Sequence, residues 1–158
     1  MNQHLLKLIQ TYKNKGLLID TNILLLYIVG SFDPILIRDF KRTANFNEDD
    51  FDIVSKFIRL FDFLITTPHI LTEVSNFIDK RQNLQAVLKG YIENSKEIFM
   101  ESSELSKQVT FLKFGLADSS VTHTAKDKYL IFTDDRPLYG FLINSQIDAV
   151  NLEQLRLI

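Results

Sequence analysis

Leu17–Tyr27 reads LLIDTNILLLY: three apolar residues, then an acid and an amide, then a second apolar run. Leu17–Ile19 predicts a short strand, and its lack of any polar residue is the pattern of a parallel strand covered on both faces. Gly16 ends a helix over residues 2–14. Asn22 to Val29 starts the next helix, with Gly30 marking its end. Asp20 therefore falls on a strand-to-helix junction. A carboxylate there either caps the helix or works at the edge where open α/β sheets place their sites.

Outward from this stretch, strands and helices alternate. Residues 33–61 read as helical in two pieces. Pro34 opens the first and Asn45–Asn47 break it. Glu48, Asp49 and Asp50 charge the start of the second, where the helix dipole favours anions, and Phe51, Val54, Phe57, Ile58 and Phe61 keep helical spacing. Then come a strand over Phe63–Thr66, a helix from Pro68 to about Arg81, and a helix over Leu84–Ser95. A strand follows over Ile98–Met100, then a helix or connector over Leu105–Phe114 ended by Gly115. A helix runs from Ala117 or Asp118 to about Lys126, and the Tyr129–Thr133 strand, an Arg136–Ile143 helix and an Ala149–Leu152 strand close the pattern. This alternation predicts one α/β domain, a sandwich with a mostly parallel central sheet between helices and with residues 31–61 as a helical elaboration.

The composition bounds the chemistry. Hydrophobic residues make up 46% of the 158, enough to fill the core of one domain. There is no Cys, so disulfides and thiolate metal sites are excluded and any metal is held by oxygen or imidazole. Lys7, Lys13 and Lys15 spread along the first helix do not resemble a secretory leader. The run Ile23–Val29 is far short of a membrane span. These features predict a soluble, cytoplasmic protein. The net charge of −2 lacks the basic excess of many nucleic-acid binders, although clustered acids can lower a total while cations line a rim. The apolar faces of residues 33–61 either pack internally or make a homodimer.

The acids fall in a pattern. Asp20 follows the first strand, and Asp134 and Asp135 follow the Tyr129–Thr133 strand. Asp118 opens the helix before that strand, and Glu73 lies one turn into the helix after Phe63–Thr66. Taken singly, Asp20 and Asp118 read as caps, Glu73 as a solvated helix residue, and Asp134–Asp135–Arg136–Pro137 as a polar turn. Those readings leave the repetition at successive junctions unexplained. Carboxylates crowded together repel, and a hard divalent cation such as Mg²⁺ or Mn²⁺ relieves the repulsion. Such a site suits phosphoryl chemistry. His4, His69 and His123 lack metal-ligand spacing and read as structural or surface residues.

Four segments carry a family pattern in order: LLIDTNILL, TPHILTEVSNF, ADSSVTHTA and YLIFTDDRPL. Together they cover roughly residues 17–152 and resemble the PIN-domain nucleases, which include the toxins of many toxin–antitoxin pairs. The long, Phe-rich stretch 31–61 departs from the compact toxin members. The resemblance implies a PIN-like fold and metal-dependent endoribonuclease activity. It implies Asp20, Glu73, Asp118 and Asp135 as catalytic acids and ligands of Mg²⁺ or Mn²⁺, with Asp134 as an alternative to Asp135. Asn22, Thr133 and Asn76 would support them, and an antitoxin protein would be a partner beside the RNA substrate.

Cations for an RNA backbone are Arg136, Lys80 and Arg81, with Arg38, Lys41 and Arg42 as further candidates. Two other functions remain open: a PIN-like scaffold that binds RNA or protein without cutting, and a haloacid-dehalogenase-like phosphatase. The second normally has another acid two residues after its nucleophile, where this chain has Asn22.

Overall fold

The computed structural model describes residues 3–157. Five parallel strands form its sheet in the order β3-β2-β1-β4-β5. They are β1 (Leu17–Ile19), β2 (Leu64–Thr66), β3 (Lys96–Glu97), β4 (Leu130–Thr133) and β5 (Ala149–Asn151). The central pair aligns Leu17 with Leu130 and Ile19 with Phe132. Every residue of β1 and β4 is buried, which requires cover on both faces, and helices supply it. The architecture is thus an α/β sandwich with an all-parallel sheet flanked by helices. From β1 the chain steps outward to β2 and β3, then returns to add β4 and β5 on the other side. The order reverses between β1 and β4, and the crevice beyond their carboxyl ends is where such sheets bind ligands.

The flanking helices are α1 (Gln3–Tyr12), α2 (Thr21–Phe32), α3 (Leu36–Asp39), α4 (Glu48–Ile58), α5 (Pro68–Ile78) and α6 (Gln82–Glu93). After β3 come α7 (Ser102–Ser106), α8 (Val109–Phe114), α9 (Leu116–Ala125), α10 (Arg136–Asn144) and α11 (Leu152–Arg156). α2 is apolar nearly all round, and Ile23 to Leu26, Ile28 and Val29 are fully buried, as befits a helix enclosed by sheet and other helices. Among the described residues no helix is long and apolar enough to cross a membrane.

Three details differ from the sequence reading. α2 does not stop at Gly30 but runs on to Phe32. A Cβ on Gly30 would lie 2.3 Å from the ring of Phe51, so this glycine admits α4 against α2 rather than ending the helix. β3 lies at Lys96–Glu97, ahead of Ile98–Met100, because Lys96 and Glu97 pair with Ile65 and Thr66; Ile98 adds one further bond, its N–H to the Thr66 carbonyl at 2.9 Å. As an edge strand, β3 tolerates the charge that apolar pattern-matching rejects. The connector over residues 105–114 is broken between α7 and α8.

The stretch 31–61 turns inward. Phe40, Phe46, Val54, Phe57, Ile58 and Phe61 join the same buried cluster as the sheet. Asn47 caps α4 in a reciprocal capping box with Asp50. Asp50, itself only 3% exposed, also receives the guanidinium of Arg156 through two bonds at 2.7 and 2.9 Å. That pair fastens α11 to α4.

Candidate active site at the carboxyl edge of the sheet

The site is built on the link between β1 and β4. Asp20 is the N-cap of α2, and its Oδ1 accepts the Ile23 N–H at 3.0 Å. Its other oxygen, Oδ2, accepts the hydroxyl of Thr133 at the end of β4. The Thr133 oxygen in turn accepts the Asp135 N–H at 3.0 Å. One buried hydroxyl therefore ties the ends of both central strands to one carboxylate. Asp20 thus caps α2 and stands at the carboxyl edge of the sheet at once, so the two sequence alternatives do not compete.

Asp135 caps α10, accepting the Leu138 N–H at 2.8 Å. Asp134 points differently: its Oδ1 is buried and has no hydrogen-bond partner. Asp118 is not the cap of its helix. Gly115 holds that position with a φ of +89°, a backbone region that favours glycine, and Asp118 lies in the first turn with its carboxylate free of capping. Glu73 is half-buried on α5, its Oε2 3.5 Å from the Thr21 hydroxyl. α5 and α9 are joined at their bases by the Thr67 and Ser120 hydroxyls, 2.7 Å apart.

These acids feel one another. Burial pushes the Asp20 carboxyl well above its ordinary value, Asp134 and Asp118 push further, and the Thr133 and Ile23 bonds oppose them. Asp118 is pushed up to about 7, first by burial, then by Asp135, Glu73 and Asp134. Asp134 is raised by burial and by Asp135, against the opposing influence of Asn22, its own backbone and Arg156. Among the described residues none of the five carboxylates is ion-paired with Lys or Arg.

An oxygen-only, anionic, partly buried donor set with one orphaned carboxylate oxygen fits a hard divalent cation. As the side chains stand, no group of three or more His, Asp or Glu among the described residues is arranged to hold an ion. Coordination therefore requires side-chain rotation.

The other candidate residues scatter. Asn22 is exposed beside Asp134, and Asn76 lines a groove with Glu73. Arg136 follows Asp135 directly, and its guanidinium pairs with Glu153. Lys80 and Arg81 lie past the far end of α5, which stops at Ile78 and turns away at Asp79, whose φ is +49°. Arg81 stacks over Phe40 at 4.6 Å and Arg42 over Phe77 at 4.0 Å.

Sequence reasoning passed over Thr21, Thr67, Ser120 and Asn151. Asn151, at the end of β5 opposite Thr133, is buried and its Nδ2 has no partner. Thr67 ahead of Pro68 and Asn151 three residues before Gln154 carry helix-start signals, and Asn151 does cap α11; Ser120 carries none. Comparison with protein-family models gives no match, and comparison with curated proteins gives none either.

The Thr133 clamp gives a direct expectation. Thr133→Val keeps the shape but leaves a buried Asp20 oxygen unpaired, and is expected to destabilise the fold by about 1–3 kcal/mol. Urea unfolding measures this, and an unchanged midpoint would contradict the clamp.

Proposed function

We propose that the chain is a PIN-like, divalent-metal-dependent endoribonuclease that hydrolyses RNA phosphodiester bonds. What supports this most is the gathering of Asp20, Glu73, Asp118, Asp134 and Asp135 at one sheet edge, three of them pushed toward protonation and, among the described residues, none ion-paired. Asp20, Asp118 and Asp135, with Asp134 beside them, would hold the ion. Bound there, Mg²⁺ or Mn²⁺ supplies positive charge for the phosphate oxygens and lowers the pKa of a water.

The protein's own groups do the positioning. Thr133 fixes the Asp20 carboxylate and, through the Asp135 N–H, the turn that carries the last acids. Glu73, set against Asp118 and steadied by Thr21, accepts the proton of the attacking water. The water oxygen bonds to phosphorus as one ester P–O bond breaks, leaving a phosphomonoester and a hydroxyl protonated from solvent. The exposed Arg136 guanidinium, paired with Glu153, would reach the strand's phosphates by exchanging that partner.

The test is an end-labelled RNA incubated with the folded protein. Internal cuts should appear with Mg²⁺, stop with a chelator and return when the ion is restored. Absence of ion-dependent cutting would refute the proposal. A second reading, a PIN-like scaffold that binds without cutting, is favoured by the lack, among the described residues, of a ready-made group of three ligands. It predicts RNA binding that is indifferent to divalent ions.

A further inference from the structure

Along α5, His69, Thr72, Glu73 and Asn76 are spaced as one stripe, distinct from the buried stripe of Ile70, Leu71, Val74 and Ile78. With Pro68 they form one wall of a groove of about 450 Å³, and Leu116 and Ala117 at the start of α9 form the other. Glu73 belongs both to this groove and to the acid cluster, where it acts on Asp118. A polymer whose phosphate sits at the acids therefore meets this concave surface through Glu73.

The groove's chemistry selects which part of a nucleotide enters. Among the described residues that line it, Glu73 is the one acid and Lys and Arg are absent, so the groove does not favour a phosphate. Pro68, Leu116 and Ala117 offer apolar surface, Thr72 and Asn76 offer hydrogen-bonding groups, and His69 offers a ring whose Nδ1 is buried. The His69 ring is held in place by a 2.9 Å bond between its Nε2 and the Ser102 hydroxyl. Flat apolar faces with polar edges are the properties of an uncharged nucleobase, and fixed rings serve as stacking platforms for bases.

We infer that the α5–α9 groove is a nucleobase subsite that seats a base of the strand next to the phosphate held at the acids. The inference rests on the ribonuclease reading and adds where the base goes. The occupant is a neutral base, so the groove governs affinity for nucleic acid and leaves the reactivity of a small phosphodiester alone.

Thr72 is exposed, so Thr72→Trp fills the groove from the surface. Binding is read by fluorescence anisotropy of a labelled, uncleavable 2′-O-methyl oligoribonucleotide. Thr72→Trp is expected to bind about 10-fold or more weakly than the wild type, and His69→Ala, which only removes a ring, about 5-fold or more weakly. Hydrolysis of bis(p-nitrophenyl) phosphate, which has no base, should be unchanged in both. Equal oligonucleotide binding by wild type and both variants overturns the subsite alone, as does parallel loss of bis(p-nitrophenyl) phosphate hydrolysis. A wild type that binds no oligonucleotide overturns the ribonuclease reading, and the subsite with it.

Discussion

In metal-free buffer at about pH 8, Asp118→Asn is expected to be more stable than the wild type by about 2–4 kcal/mol, raising its unfolding temperature by about 5–15 °C. The folded protein holds this carboxyl near 7, against 3.8 ordinarily, because it is largely buried among Asp135, Glu73 and Asp134. The full displacement corresponds to about 4 kcal/mol, and partial contact with solvent lowers it. The sign follows from proton counting. Between about pH 4 and pH 7 the folded state keeps a proton that the unfolded chain has lost, so stability falls as pH rises through this window and stays low above it. Asparagine has no such proton, so the two proteins converge near pH 4. His123, lowered by burial and by Lys126, has the opposite dependence in both proteins and cancels in the comparison. Mg²⁺ should stabilise the wild type by mass action and narrow the gap. A wild type more stable than Asp118→Asn in chelator at about pH 8 would contradict the electrostatic account.

Asp20→Asn is expected to lower Mg²⁺-dependent RNA cleavage by about 10³-fold or more while leaving the fold in place. Asparagine is as good an N-cap as aspartate, so the bond to the Ile23 N–H survives. The Thr133 hydroxyl, with two lone pairs, can accept from the new amide while still accepting from the Asp135 N–H; its own proton loses the Asp20 acceptor, a cost of about 1 kcal/mol that removal of a buried carboxylate offsets. The substitution removes one charge at the junction of β1 and β4 and little else. An unchanged circular-dichroism spectrum with lost cleavage supports the role, and full activity in the folded variant refutes it.

The central fold was legible because its signals are local. Leu17–Ile19 and Leu130–Thr133 are apolar without interruption, and that pattern marks buried parallel strands. Strand-edge placement then brought Asp20, Asp134 and Asp135 to one end of the sheet. The errors arose where long-range packing decides. Gly30 looks like a helix stop until the Phe51 ring across from it is known. Lys96–Glu97 looks unlike a strand because its partner, not its own composition, recruits it.

Within the site, Asp118 looked like a cap, but a glycine of positive φ took that position. That Asp20 both caps and joins the acids could not be read from spacing, since both roles use the same residue. The cations were the least legible. Arg42 and Arg81 lie on aromatic rings, and one-dimensional spacing cannot distinguish a stacked guanidinium from one that waits for phosphate.

The central claim is that acids from separate elements form one divalent-cation site. Calorimetric titration of the wild type with Mn²⁺ at near-neutral pH tests it most directly. Carboxyls raised as Asp20, Asp118 and Asp134 are must lose protons when a cation joins them, so the measured heat should depend on the ionisation enthalpy of the buffer. Saturable binding with proton release, abolished in Asp20→Asn, is the predicted result. No saturable heat, or identical binding by the wild type and Asp20→Asn, would contradict the account.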